Sequence, residues 1–165
     1  MRLYIYIFFL FPLISVSQNT TKEISAQRIT SNVIIDGILD ELFWYDIDIA
    51  QNFIMMQPEN GKYERNTQKT EVKFAYDNNA LYVGAALFDS NPYEILQELG
   101  ARDDQNKNAD SFGLFINPFN DGINEFCFMV TASGAQIDKK ITLTTDGYKE
   151  DLNWDSVWES SVIIN

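Results

Sequence analysis

Two tryptophans, Trp154 and Trp158, stand four residues apart in Trp154-Asp155-Ser156-Val157-Trp158-Glu159. In an extended chain, residues four apart share a face about 13 Å from each other, close to the length of a disaccharide. An indole face stacks on the apolar face of a pyranose ring. A carboxylate beside it, Asp155 or Glu159, accepts hydrogen bonds from sugar hydroxyls, and Arg102 can donate to them. A packing account competes with this one. Large aromatics in alternating strands usually fill cores, so Trp158 would lie inside, Trp154 would cover an edge, and Arg102 would pair with Glu98 on a solvated surface.

Acidic residues supply a second chemistry. Asp89, Asp103, Asp104, Asp110 and Asp121 lie in loop-like stretches. Calcium takes roughly six to eight oxygen ligands, which loop aspartates and backbone carbonyls provide flexibly. Asp103, Asp104 and Asp110 are the preferred ligands for a structural calcium ion. No EF-hand spacing is present, and turn chemistry explains the same aspartates without a metal. Glycoside hydrolysis needs two positioned carboxylates. With 24 acidic residues a chance pair is inevitable, and none is singled out, so no catalytic residue is assigned. The chain has no histidine, which excludes Ser-His-Asp and Cys-His catalysis and His-ligated zinc or iron. Neither a P-loop nor a GxGxxG motif occurs.

Charge and the N-terminus narrow the setting. A formal net charge of −12 disfavours nucleic acid and anionic lipid, since both require neutralised phosphates. Arg2, the apolar run from Leu3 to Ile14 and the small residues Ser15-Val16-Ser17 read as a secretory signal over 1–17. The run is shorter than the ~20 apolar residues of a comfortable membrane span, although an uncleaved anchor is the alternative. The expected mature domain is 18–165, exported to the periplasm, outer membrane or cell surface. Cys127 is the only cysteine, so no internal disulfide can form, and its apolar strand suits a small buried side chain.

The elements that must position these residues are mostly strands. Glu71 to Tyr76 alternates, Asp77-Asn78-Asn79-Ala80 is turn chemistry, and Leu81 to Phe88 folds back as a hairpin. That second run is apolar on both faces and reads as a central strand. Asn91 before Pro92, Glu94, the stripe Ile95, Leu96 and Leu99, and Gly100 predict one short helix. Phe112, Leu114 and Ile116 then alternate inward, as do Phe126, Phe128 and Val130 after a turn at Asn120-Asp121-Gly122. Gln136 to Thr144 follows a turn at Gly134, and Asp146-Gly147 turns again. Trp158 to Ile164 reads as a strand that stops at Asn165 without a closing turn, so the expectation is a sandwich incomplete at its C-terminal strand. These signals predict an all-β, antiparallel β-sandwich.

In Val33-Ile34-Ile35-Asp36-Gly37-Ile38-Leu39-Asp40-Glu41-Leu42-Phe43-Trp44, three carboxylates surround one glycine and an indole. A sugar or metal site is one reading. The other is architectural, with Asp36-Gly37 as a tight turn, Asp40 as the cap of a helical turn, and Leu39, Phe43 and Trp44 packed inward.

In order and spacing, several landmarks resemble the family 9 carbohydrate-binding module, a β-sandwich related to DOMON-like domains. They are Ile35-Asp36-Gly37-Ile38-Leu39-Asp40-Glu41 with Trp44, Thr70-Glu71-Val72 with Tyr76-Asp77, Leu81-Tyr82-Val83 and Arg102-Asp103-Asp104. Asp110, Gly134-Ala135-Gln136-Ile137-Asp138 and the Trp154–Glu159 segment complete the set. The version here is similar to the N-terminal domain of large Gram-negative outer-membrane proteins. The resemblance covers about residues 24–165. It implies a polysaccharide- or oligosaccharide-binding module linked to carbohydrate catabolism, with calcium in some members and a β-rich outer-membrane region beyond Asn165. An aromatic precedes the mid-domain aspartate in sugar-binding members, whereas Asn108-Ala109 precedes Asp110 here. Two alternatives therefore accompany sugar binding. One is a structural or interaction domain of an outer-membrane β-barrel protein, and the other is part of a glycoside hydrolase whose catalysis lies elsewhere.

Overall fold

The computed structural model describes residues 22–165, so the export signal expected over 1–17 lies outside it. Among the described residues, seven strands and two short 3-10 turns make an all-β, sandwich-like fold of two sheets. Strands β1 (Gln27–Arg28), β2 (Thr70–Tyr76) and β3 (Leu81–Leu87) form one sheet in that order. Strands β4 (Ser111–Ile116), β5 (Asn124–Thr131), β6 (Gln136–Thr144) and β7 (Gly147–Asp151) form the other as a meander. All pairings are antiparallel except the two-residue β1, which lies parallel to β2.

Local chemistry sets the hairpins. Asp77 Oδ1 accepts the N–H groups of Asn79 and Ala80 at 2.7 and 2.8 Å, closing the β2–β3 turn. These bonds, that of Asn79 foremost, hold its carboxyl below the usual range. Asp121 does the same between β4 and β5, accepting from Ile123 and Asn124, and its carboxyl falls to about 2. The turn into β6 places Gly134 at a φ of 85°, a left-handed conformation that glycine adopts without steric cost.

The main core sits against the three-stranded sheet. Ile29, Trp44, Ile47 and Ala75 are buried together, and Val33, Leu39, Phe43 and Tyr82 pack around them. The stretch from Val33 to Trp44 builds this core. Asp36 accepts the Ile38 N–H around Gly37, and Glu41 accepts both the Ile34 N–H and the Trp44 indole N–H, each at 2.9 Å. The 3-10 turn runs over Leu42–Asp46, so its cap position falls on Glu41 and not on Asp40. Gly84 of β3 leaves the space that Leu39 and Trp44 fill. In the second sheet, Cys127 is fully buried, and burial pushes its thiol pKa up.

Three expectations are corrected. The helix predicted from Pro92 to Leu99 is a single 3-10 turn over Pro92–Glu94. Beyond it the backbone pairs with 108–110, through Asp110 N–H to the Leu96 carbonyl and Glu98 N–H to the Asn108 carbonyl. Leu99 stays 79% exposed, so the apolar stripe had no surface to pack against. Next, β3 is an edge strand among the described residues, with Leu81 and Leu87 exposed on it. Last, the segment after β7 forms no strand. It is held by bonds that each have a side chain on at least one end, described next, and not by a ladder.

Candidate functional site

The segment 154–160 is fastened to the face of the second sheet that carries Phe126, Phe128 and Asp138. The register explains why these meet, because Phe126 lies opposite Lys140, Phe128 opposite Asp138 and Val130 opposite Gln136. Cross-strand partners share a face, so an aromatic row from β5 runs beside a polar row from β6. Trp154 packs on Phe126 and Phe128 with ring centroids 4.8 and 5.8 Å apart. Trp158 meets Phe128 edge-on at 5.6 Å. Both tryptophans are half-buried.

An open cleft of about 550 Å³ lies where this segment passes the β5–β6 turn. Arg102, Gln136, Trp158, Glu159 and Ser160 line it, with Ile35 from the core-building loop and the small residues Gly134 and Ala135 from the turn. The cleft is shallow, wide open to solvent and more polar than apolar in its lining.

Arg102 organises the polar side of the cleft. Its Nη1 donates to Gln136 Oε1 at 2.7 Å, and its Nη2 faces Asp138 Oδ1, Asp155 Oδ1 at 2.8 Å and the Ser156 carbonyl at 3.1 Å. Asp103 adds a longer ion pair at 3.6 Å. The Arg102 side chain is still 37% exposed. Gln136 in turn donates through Nε2 to Ser160 Oγ at 2.9 Å and to the Trp158 carbonyl at 3.3 Å. A guanidinium, an amide, a carboxylate, a hydroxyl and an indole thus surround one open space. Such a set can exchange hydrogen bonds with a polyol while an aromatic covers its apolar surface.

Of the residues singled out for sugar binding, Arg102, Trp158 and Glu159 line the same cleft, and Trp154 does not. The alternative of an Arg102–Glu98 pair is overturned. Glu98 faces Lys107 at 3.4 Å, which with the Asn108 N–H lowers its carboxyl pKa, the N–H contributing most.

The three aspartates considered for calcium have separate partners. Asp103 takes a left-handed φ of 64° and accepts the Asp138 N–H at 3.1 Å. Asp104 lies 3.6 Å from the Lys107 ammonium, and Asp110 accepts the Leu96 N–H at 3.3 Å. Among the described residues, no group of three or more His, Cys, Asp or Glu side chains is arranged to hold a metal ion.

Gln136 and Asp138 entered the sequence reading as landmarks of the resemblance and not as site residues, and Ser160 did not enter it. A signal for the first two exists in the strand pattern. Gln136, Asp138 and Lys140 alternate on the face whose β5 neighbours are apolar, and polar residues there require partners. No protein-family model, curated protein or solved structure matches this chain.

Proposed function

We propose that this chain is a carbohydrate-binding module that holds a neutral oligosaccharide or a polysaccharide segment in the cleft at Arg102, Trp158 and Glu159. The observation that carries the reading is that Arg102, more than fifty residues away in sequence, meets the adjacent Trp158 and Glu159, with Gln136 and Ser160, on one open surface. The charge balance argues for a neutral ligand. Arg102 is surrounded by Asp103, Asp138 and Asp155, with Glu159 beside the cleft, so an acidic glycan would meet net negative charge. Export to the periplasm, outer membrane or cell surface, and linkage to a β-rich outer-membrane region beyond Asn165, belong to the same proposal. A structural calcium ion on Asp103, Asp104 and Asp110 would share these carboxylates with their present partners, the Asp138 N–H, Lys107 and the Leu96 N–H.

Calorimetric titration with xylo- and cello-oligosaccharides tests the reading, in calcium and again in chelator. Saturable heat is the expected result, and its loss in chelator would support a calcium role. Silence across these sugars and a broader glycan panel, from a folded protein, would overturn the carbohydrate reading.

One observation favours a second reading, an interaction domain without sugar binding. Trp154 packs on Phe126 and Phe128 and leaves Trp158 as the one aromatic lining the cleft. The paired platform expected of Trp154 and Trp158 is thus not presented to this cleft.

A further inference from the structure

Asp138 is the third residue of β6 and its side chain is 1% exposed. A carboxylate this deeply buried is costly unless its oxygens are well bonded. Each neighbour here is a donor. Arg102 Nη2 and the Trp158 indole N–H, the latter at 3.2 Å, point to Oδ1, and the Ser156 N–H donates to Oδ2 at 2.7 Å. Asp138 does not line the cleft, yet both side chains bonded to its Oδ1 do.

The geometry points to Asp138 as the positioning residue of the cleft, the buried carboxylate that sets where the Trp158 indole and the Arg102 guanidinium stand. Arg102 has further carboxylates at Asp103 and Asp155 that can hold it. The Trp158 indole N–H has Asp138 as its only hydrogen-bond partner among the described residues. Trp158 therefore responds most to any change at Asp138. Asp138→Asn keeps the shape but removes the charge. It also replaces one acceptor oxygen with a donor, and all three neighbours are donors already. The ligand side of the inference rests on the carbohydrate reading, whereas the positioning is a property of the free protein.

The test uses the full chain and the indole N–H signals of its three tryptophans in a ¹H–¹⁵N spectrum. Trp44, bonded to Glu41 against the other sheet, reports whether the fold is intact. In Asp138→Asn the Trp158 signal is expected to move and to exchange with water about tenfold faster or more, while the Trp44 signal stays. Affinity for cellohexaose or xylohexaose is expected to fall about tenfold in the same variant. A Trp158 signal that does not respond would overturn the positioning role. A shifted signal with unchanged affinity would overturn its link to the cleft. If Asp138→Asn unfolds, with the Trp44 signal lost as well, the wild-type protein decides. There the Trp158 indole N–H should exchange more slowly than that of Trp154, and equal rates would overturn the proposal. A wild-type protein that binds no glycan overturns the carbohydrate reading alone, since the spectral result needs no ligand.

Discussion

Glu41 illustrates how one side chain can serve architecture while looking like chemistry. Its two oxygens accept from the Ile34 backbone and from the Trp44 indole, and Trp44 is only 3% exposed. Removing them strands an indole N–H in the core. Glu41→Ala should therefore destabilise the fold by about 1–3 kcal/mol in urea unfolding, with little change in the slope of the transition. A variant as stable as wild type would mean that water reaches Trp44. At this scale the sequence was legible where residue type restricts role: Asp36-Gly37 as a turn, Trp44 as core, and Arg102, Trp158 and Glu159 as polar and aromatic candidates. Asp138 was harder to see. A lone aspartate in a strand reads as a solvent-facing position until the register places it opposite Phe128. Its partners Arg102, Ser156 and Trp158 come from outside the β5–β6 hairpin, and such long-range contacts leave no local pattern in the sequence.

The elements carry two further predictions. Gly84 allows the loop bearing Leu39 and Trp44 to lie on the three-stranded sheet, since a Cβ there would come within 2.8 Å of Leu39 and 3.2 Å of Trp44. Gly84→Ala should cost about 1–3 kcal/mol by overpacking, read from the shift in the thermal or urea midpoint. The β4–β5 turn gives a pH dependence. The Asp121 carboxyl is depressed from 3.8 to about 2, chiefly by the Asn124 N–H. A group depressed in the folded state stabilises above its unfolded pKa and loses that contribution as pH falls through the folded value. Wild-type stability should thus decline from about pH 4 to pH 2 more steeply than that of Asp121→Asn, and a carboxylate NMR titration of Asp121 should have its midpoint near 2. Parallel stability profiles would show that the turn bonds do not survive in solution. Hairpins were legible because their turn chemistry is local, at Asp77, Asp121, Gly134 and Gly147. The short helix was not, because Pro92, Glu94 and Leu99 carry real helix signals that lose to pairing between 96–98 and 108–110. Tertiary contacts decide the fate of a stripe this short.

Across the whole molecule, sequence-distant parts converge on one cleft. Ile35 comes from the loop that builds the first sheet's core, Gln136 from the second sheet, Arg102 from the connection before β4, and Trp158 to Ser160 from the segment after β7. Ile163 of that last segment also meets Gly37, 3.0 Å from where a Cβ would stand. Alternation and turns made the two-sheet class legible, whereas the path of the last segment was not. Its tryptophans suggested a strand, but the bonds to Asp138, Gln136 and Arg102 leave it outside any ladder.

The most direct measurement compares Trp158→Ala with Trp154→Phe in fluorescence titrations against xylo- and cello-oligosaccharides, with the Trp44 indole signal confirming that each variant is folded. Binding in the cleft predicts that Trp158→Ala loses at least about tenfold in affinity, the size of a central aromatic contact, while Trp154→Phe stays within about twofold of wild type. Unchanged affinity in folded Trp158→Ala, or loss only in Trp154→Phe, would contradict the account by moving the sugar away from the cleft.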